Sequence, residues 1–183
     1  MERKRVVVVL STPLTAIQGG LFLSERAHIQ TLELLSERFE RVDVIARCRT
    51  VAVLADAEHV ALASTGARLA LTLLDYGGAH PVRKALAFLV SPARRRAVSS
   101  VIGGADLLYI ESPSLESILA WSVARTAGVP YIMEMRGDTM MNPWYMRSRL
   151  GWIGPLLSYM IQAFFGIFRR GAAGAVFVGE QLR

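Results

Sequence analysis

Short apolar runs rich in Val, Ile and Leu alternate along the chain with longer segments whose apolar residues recur at helical spacing. The short runs are typical of buried strands, and the helical spacing is typical of amphipathic helices. Residues 47–68 are ambiguous and allow one further edge strand around Val60–Ala63. Because strands that alternate with helices form parallel sheets, the pattern predicts an α/β fold. Its strands are Arg5–Leu10, Val42–Ala46, Leu69–Leu74, Leu107–Ile110, Tyr131–Met135 and Ala175–Val178.

Helices are predicted between these strands, after a loop that runs from Ser11 to Gly20. Ser114 is placed to cap one of them, because a serine side chain can accept hydrogen bonds from the free amides of a first turn. Gly128 and Pro130 are typical residues at a helix end. The predicted helices are Leu21–Phe39, Pro81–Val101, Ser114–Ala127 and a long, mainly helical stretch from Pro143 to Arg170.

The composition describes a folded domain with a basic charge. The 183 residues are enough for one domain with a buried core, and the hydrophobic content of 52% excludes disorder. The net charge of +6 rests almost wholly on arginine, since Lys4 and Lys84 are the only lysines. Arginine favours phosphate or anionic lipid as a partner, because its guanidinium binds two oxygens at once. A compositional bias towards Arg and Ala explains the same charge without a partner.

Redox, metal and targeting signals are sparse. A single cysteine, Cys48, excludes an internal disulfide and favours a reducing compartment. His28, His59 and His80 have no metal-ligand spacing with one another or with Cys48, so no structural metal is expected. The apolar run Val6–Leu10 is shorter than the core of a signal peptide, which needs about 7–15 residues. A cytoplasmic location is therefore expected.

Polar residues end two consecutive strands. Glu111 and Ser112 follow the first, and Arg136, Gly137 and Asp138 follow the second. In open parallel α/β sheets, ligands bind at the carboxyl ends of the strands. A guanidinium can hold a phosphate or a hydroxyl, and a carboxylate can accept from a sugar hydroxyl. The simpler alternatives are a salt bridge between Arg136 and Asp138 and the capping of the helix that follows each strand.

A glycine pair lies in the predicted loop after the first strand. Gly19 and Gly20 could let main-chain amides approach a phosphate or sugar ahead of a helix, or they could form an ordinary turn. They do not form a GxGxxG fingerprint, because no third glycine follows. Glu180, after the last strand, is either a ligand-binding residue or a first-turn acid favoured by a helix dipole. No GxSxG motif, Walker loop or cysteine–histidine pair suggests nucleophilic catalysis.

The stretch Leu150–Phe168 contains no charge and has arginines at both ends. It could be a core helix over the sheet, an interfacial helix on a membrane, or a transmembrane span. Spanning ranks last, because the flanking charges are symmetric and small or weakly polar residues share one helical face. The run Arg94–Arg96 could add to a membrane-facing surface or be a solvated helix face. The residues of the polar face are Gly151, Pro155, Ser158, Gln162 and Gly166.

Four stretches carry a family resemblance: ADLLYIESPS, then AGVPYIMEMRGD with NPWY after it, then the apolar helix, then AGAVFVGEQLR. With these motifs the chain resembles the N-terminal half of a family 4 glycosyltransferase of the GT-B fold, of the kind that builds bacterial cell-surface polysaccharide. The resemblance implies that residues 1–183 form a Rossmann-like parallel sheet flanked by helices that binds the acceptor. It also implies that the second domain, which binds the nucleotide-sugar through a Glu-x7-Glu motif, is absent from this sequence.

The resemblance further implies three groups of site residues. Arg136 and Asp138 are the catalytic candidates beside the transferred sugar, although many family members have His at the position of Arg136. Gly19 and Gly20 would lie near the donor phosphates. The reaction in the family retains the configuration of the sugar and uses no metal. The acceptor side would include Glu111, Ser112, Gly137 and Glu180.

The expected function is the acceptor-binding half of a glycosyltransferase, which transfers a sugar from a nucleotide-sugar to a cell-surface polysaccharide or lipid-linked acceptor. The chain alone is expected to bind no cofactor and to be inactive. Its partners would be the sugar acceptor, the donor-binding domain and the inner face of an anionic membrane, but not nucleic acid. The sequence stops at Arg183 within what starts as a helix, which predicts truncation. The alternatives are a non-catalytic membrane-recruiting subunit of a split glycosyltransferase and a protein with one span at Leu150–Phe168.

Overall fold

A sheet of nine strands forms the centre of the described part of the molecule. It is seen in a computed structural model that describes residues 4–17, 20–23, 26–50, 60–62, 69–74, 87–112, 114–136 and 143–178. The strands are β1 (Arg5–Val9), β2 (Leu14–Ile17), β3 (Gly20–Leu23), β4 (Arg41–Thr50), β5 (Val60–Ala61), β6 (Leu69–Leu74), β7 (Leu107–Ser112), β8 (Tyr131–Arg136) and β9 (Gly174–Val178). The helices are α1 (Arg26–Arg38), α2 (Pro92–Ile102), α3 (Leu115–Ala127), α4 (Pro143–Leu150) and α5 (Ile153–Arg170), and residues 87–90 are also helical.

Six strands are parallel and lie in the order β6-β4-β1-β7-β8-β9. Counted along the chain, these six strands have the order 3-2-1-4-5-6, which is that of a Rossmann sheet. The predicted Rossmann-like α/β fold is therefore confirmed. The order reverses between β1 and β7, and in such sheets the reversal opens a crevice at the carboxyl ends of the two strands. Any ligand site is expected there.

A small antiparallel extension departs from the prediction. β2 and β3 form a hairpin, with Ile17 opposite Gly20, and β3 also pairs with β5. The predicted loop Ser11–Gly20 and the helix start at Leu21 are therefore wrong, because α1 begins only at Arg26. The physical reason is that β4 continues well past its predicted end and offers its far half as a pairing edge to β2. The edge strand predicted near Val60 is confirmed.

Two predicted helices are each divided by a break. The segment predicted as Pro81–Val101 is interrupted at Ser91, whose hydroxyl accepts from the Arg94 amide at 3.4 Å and caps α2. Its residues 81–86 lie outside the described part. The stretch Pro143–Arg170 is divided between α4 and α5 at Gly151, which has a φ of +61°. A left-handed backbone at this position is tolerated by glycine and ends the first helix.

The cap and the stop predicted for α3 are confirmed. Ser114 Oγ accepts from the Ser117 amide at 3.0 Å, and Ser117 Oγ accepts from the Ser114 amide at the same distance. This reciprocal pair satisfies two amides that helix geometry would leave without partners. Gly128 has a left-handed conformation, with a φ of 70°, and ends the helix. α3 thus begins directly beside the carboxyl end of β7.

The core lies on both faces of the sheet. The consecutive valines of β1 point alternately to the two faces and are all buried, as expected for a central parallel strand. α1 covers one face, while α2, α3 and the end of α5 cover the other. Buried side chains of the α1 face include Val6, Val8, Leu14, Ile29, Leu32 and Val44, and those of the opposite face include Val7, Val9, Ile102, Ile110, Leu119 and Phe168.

The hydroxyl of Tyr131, at the start of β8, joins three elements. It accepts from Trp121 Nε1 of α3 at 3.1 Å and donates to the Phe168 carbonyl near the end of α5 at 2.6 Å. The rings of Trp121 and Phe168 also stack, with centroids 4.0 Å apart.

No helix in the described ranges is long and apolar enough to cross a bilayer. The reading of Leu150–Phe168 as a span, which ranked last of the three, is therefore not supported.

Removal of the Tyr131 hydroxyl should destabilise the domain. Tyr131→Phe removes the hydrogen bond that Trp121 Nε1 donates to this hydroxyl and the buried one that the hydroxyl donates to the Phe168 carbonyl. We expect the free energy of unfolding in urea to fall by about 1–3 kcal/mol. The matched control is Tyr159→Phe, because Tyr159 is 61% exposed; its effect should stay within about 0.5 kcal/mol. Equal effects of the two changes would contradict the assigned role of Tyr131.

The contact between α4 and α5 should tolerate no side chain at Gly154. A Cβ at this position would overlap the main-chain carbonyl of Met146 in α4, whereas a Cβ at Gly166 meets nothing within 4 Å. We expect Gly154→Ala to lower the free energy of unfolding by about 1–3 kcal/mol. Gly166→Ala should raise it by up to about 1 kcal/mol through helix propensity. Urea denaturation of both variants tests the pair, and a stabilised Gly154→Ala variant would contradict the close approach.

Candidate functional site

Several polar residues that contact one another lie at the crevice between β1 and β7. Ser11 lies two residues after the end of β1, and Glu111 is the second-to-last residue of β7. The strands run side by side in parallel, with Val9 opposite Ile110, so the two polar residues reach the same edge of the sheet. A ligand that enters the crevice would meet the segments that these residues hold.

Glu111 is fully buried and is surrounded by polar groups. Its Oε2 accepts from the Ser11 amide at 3.2 Å and from the Ser11 hydroxyl at 3.4 Å. The same oxygen lies 3.0 Å from Nε2 of His28, a fully buried side chain of α1. Removing a carboxylate from water is costly unless fixed partners replace the water. The burial of Glu111 therefore requires that the β1 loop, α1 and β7 keep this arrangement.

A second buried carboxylate extends the arrangement. Arg47 Nε in β4 lies 2.7 Å from Glu116 Oε1, and Arg47 Nη2 donates to the Ser11 carbonyl at 2.6 Å. Glu116 is 1% exposed and lies in the first turn of α3, where the helix dipole favours a negative charge. The side chain of Arg47 is one-third exposed. These residues lie where the strand order of the sheet reverses, at its topological switch point. We therefore use the name switch-point cluster for Ser11, His28, Arg47, Glu111 and Glu116.

Ser112 lies beside this cluster. It is 1% exposed, and its hydroxyl makes no hydrogen bond to any residue that the structure describes. A buried hydroxyl without a partner is uncommon in proteins and often marks a place where water or a ligand binds. The neighbouring strand contains another buried carboxylate, Glu134, which accepts from the Tyr109 hydroxyl at 2.5 Å. The carboxyl halves of β7 and β8 are thus unusually polar for buried strands.

The predicted site residues fall into two groups. Glu111, Ser112 and the main chain of Arg136 reach the same edge of the sheet, because Ser112 pairs with Met135. Gly20 opens β3, so it does not lie directly ahead of a helix, which corrects the placement on which its phosphate role rested. The remaining predicted positions lie outside the described residues, as does the side chain of Arg136; they are Gly19, Gly137, Asp138 and Glu180.

Sequence reasoning missed most of the switch-point cluster. His28 was considered only as a metal ligand, and Arg47 fell at the start of the ambiguous segment 47–68. The one available signal was that His28 shares a helical face with Leu32 and Leu35, which predicts a buried position for a polar side chain. A buried histidine needs a partner, but the sequence does not say that this partner is Glu111.

The side chains at this edge of the sheet can form hydrogen bonds and ion pairs with a ligand. Carboxylates, hydroxyls and guanidinium groups suit a ligand that carries hydroxyls or phosphate. No group of three or more His, Cys, Asp or Glu side chains suited to a metal ion occurs within the described ranges. The side chains at this edge therefore have the chemistry to bind polar groups.

Comparison with known proteins gave no match to a protein-family model and no match among curated proteins. Among solved structures, the chain is similar to UGT2 of Phytolacca americana, a UDP-glycosyltransferase, in complex with UDP-2-fluoro-glucose and pterostilbene. The identity is 18% over 81% of this chain, with a TM-score of 0.41. The apo form of the same protein gives 17% over 80%, with a TM-score of 0.37. The chain spans about a third of the solved chain's length, 34% and 32% respectively.

Loss of the charge on Glu111 should destabilise the fold. Glu111→Gln keeps the size of the side chain but replaces an accepting oxygen by an amide group among donors. We expect the free energy of unfolding to fall by about 1–3 kcal/mol. Glu37→Gln, at an exposed position of α1, should change it by less than about 0.5 kcal/mol. A Glu111→Gln variant as stable as the control would show that the cluster does not hold the strand ends together.

Proposed function

We propose that this chain is the acceptor-binding half of a glycosyltransferase of the GT-B fold. The complete enzyme would transfer a sugar from a nucleotide-sugar to a cell-surface polysaccharide or lipid-linked acceptor. The observation that carries the proposal is the switch-point cluster, a buried polar frame at the edge where Rossmann-like sheets bind ligands. The motifs at Glu111 and Arg136, which resemble those of family 4 glycosyltransferases, lie at this same edge.

The strand-end residues have the chemistry that sugar transfer requires. Arg136 would stabilise the negative charge of the leaving phosphate, because guanidinium binds phosphate oxygens in pairs. Asp138 would accept a hydrogen bond from a sugar hydroxyl at the reacting centre. Glu180 and Gly137 would line the acceptor side, and Gly19 would lie near the donor phosphates. Retention of configuration is part of the proposal, through the resemblance to family 4.

The switch-point cluster would act by positioning rather than by contact. Glu111 and His28 have no exposed surface, so their effect on an acceptor would pass through the loop at Ser11. Ser11 is partly exposed and is held from both sides, by Glu111 and by Arg47. A preorganised loop costs less entropy when a ligand binds. The role of Ser112 would be more direct, because its buried hydroxyl lies next to the crevice.

The donor would be bound by a second domain rather than by this chain. The proposal therefore predicts that the chain alone binds no nucleotide-sugar tightly and has no transferase activity. It also assigns the protein to the cytoplasm, with peripheral contact at the inner face of the cell membrane.

A second candidate is a non-catalytic subunit that recruits a separate catalytic chain to the membrane. It is favoured by the large apolar side chains that α5 exposes, among them Leu156 and Met160. Sugar transfer that appears only when a separate catalytic polypeptide is added, and that does not need Asp138, would favour this candidate over the first.

Binding measurements on the chain test the proposal. Saturation-transfer NMR with octyl glucoside, octyl galactoside and octyl mannoside below their micellar concentrations should detect binding of at least one glycoside. Asp138→Ala should weaken that binding by about tenfold or more, since a charged hydrogen bond is lost. The control Arg38→Ala, at the exposed end of α1, should leave it unchanged.

Two results would contradict the proposal. One is the failure of all three glycosides to bind the folded chain. The other is micromolar binding of UDP-glucose or GDP-mannose in calorimetry, which would place the donor site in this chain.

A further inference from the structure

Helix α5 exposes several large apolar side chains. Leu156, Tyr159 and Met160 are 57%, 61% and 61% exposed, whereas Ser158 and Phe168 of the same helix are fully buried. Contact between large apolar side chains and water is unfavourable, because burial of such side chains is the main gain of packing. The exposed side of α5 therefore gains stability if a partner covers it.

The exposed apolar side chains continue from α5 onto α4. Trp152 is 81% exposed at the break between the helices, and Trp144 of α4 is 75% exposed. The two helices contact each other, and proteins that act in solution rarely expose several large apolar side chains on neighbouring helices unless something binds to them. We call these side chains the α4–α5 surface: Trp144, Trp152, Leu156, Tyr159, Met160 and Ile167.

The charged residues of α4 and α5 are all arginines. Residues 139–179 contain four arginines and no Asp or Glu. Arg147 on α4 and Arg169 and Arg170 at the end of α5 are exposed. Basic residues beside an apolar helical face complement the negative surface of a bilayer with anionic lipids. A surface for binding a protein would more commonly mix both signs of charge around its rim.

The residue types and the length of α5 also suit a lipid surface. Trp and Tyr are enriched where hydrocarbon meets head groups, because each ring has an apolar body and a polar atom. α5 has 18 residues and is about 27 Å long, at 1.5 Å per residue. A helix with an exposed apolar face and arginines at its end can lie in the plane of the interface.

We infer that the α4–α5 surface docks on anionic lipid bilayers, with α5 parallel to the membrane plane. Apolar side chains enter the boundary between head groups and acyl chains, and the arginines at the helix ends bind lipid phosphates. Vesicle binding needs neither a sugar nor a donor, so this docking can be tested whether or not the chain is half of a glycosyltransferase.

Vesicle co-sedimentation of the chain is the test. The probes are vesicles of phosphatidylglycerol and phosphatidylcholine in equal parts, and vesicles of phosphatidylcholine alone. We expect the chain to sediment with the anionic vesicles and to remain in the supernatant with the neutral ones. Salt at about 1 M should release a large part of the bound chain, because it shortens the Debye length to about 3 Å.

Paired variants distinguish vesicle binding through the α4–α5 surface from nonspecific adsorption. Leu156→Gln with Met160→Gln should weaken binding to the anionic vesicles by about tenfold or more. The matched control is Leu34→Gln with Val90→Gln, at positions that are 62% and 73% exposed outside the surface, and it should stay within about twofold of the parent.

A second pair tests the charge. Arg169→Gln with Arg170→Gln should weaken binding by about tenfold. Lys4→Gln with Arg38→Gln removes two exposed charges elsewhere and should have an effect of less than about twofold. Circular dichroism of each variant tests whether it is folded. If Leu156→Gln with Met160→Gln does not fold, Trp152→Ser takes its place as the variant that removes an exposed apolar side chain.

Brominated acyl chains provide an independent readout. They should quench the tryptophan fluorescence of the parent more than that of Trp152→Phe, because Trp152 would lie among the lipids. Three results would overturn the inference: no sedimentation with anionic vesicles, equal sedimentation with neutral ones, or equal effects of the surface and control variants. Self-association that Leu156→Gln with Met160→Gln abolishes, without vesicle binding, would assign the surface to a second copy of the chain.

Discussion

The carboxylate of Glu111, removed from water at the end of β7, is the constraint on which the candidate site depends. A buried charge persists only where fixed polar partners replace the solvent. Its partners come from the loop after β1 and from α1, and Ser11 is 100 positions away in the sequence. Arg47 and Glu116 attach β4 and α3 to the same loop. The crevice thus has one arrangement of its polar walls, established before any ligand enters.

Much of the fold could be predicted because its signals are local. The valines of β1, the capping serine at Ser114 and the stop at Gly128 each act within a few residues, and each was identified from the sequence. The hairpin of β2 and β3 could not be predicted, because four-residue strands depend on a pairing edge supplied by the far end of β4. The break at Gly151 was missed for a similar reason, since an apolar run continues through it.

The candidate site was also predictable only where its signals are local in the sequence. Strand ends could be located from the sequence, so Glu111, Ser112 and Arg136 were predicted at one edge of the sheet, where the structure also has them. Which side chains satisfy a buried carboxylate is decided by tertiary contacts, so His28 and Glu116 were not foreseen. The exposed apolar side chains of α5 were likewise not foreseen, because α5 is rich in apolar residues and its sequence does not show which of them face the protein.

The hydroxyl of Tyr131 has a mechanical consequence. It fastens the start of β8 to α3 and to the end of α5, and the opposite end of β8 is Arg136. A strand held on both sides by parallel neighbours is stiff along its length. A load that tilts α5 would therefore be carried by β8 rather than absorbed at the helix, and it would reach the strand end that carries a candidate catalytic residue. One hydroxyl thus links the end of α5, where the arginines of the outer surface lie, to the strand that ends in the crevice.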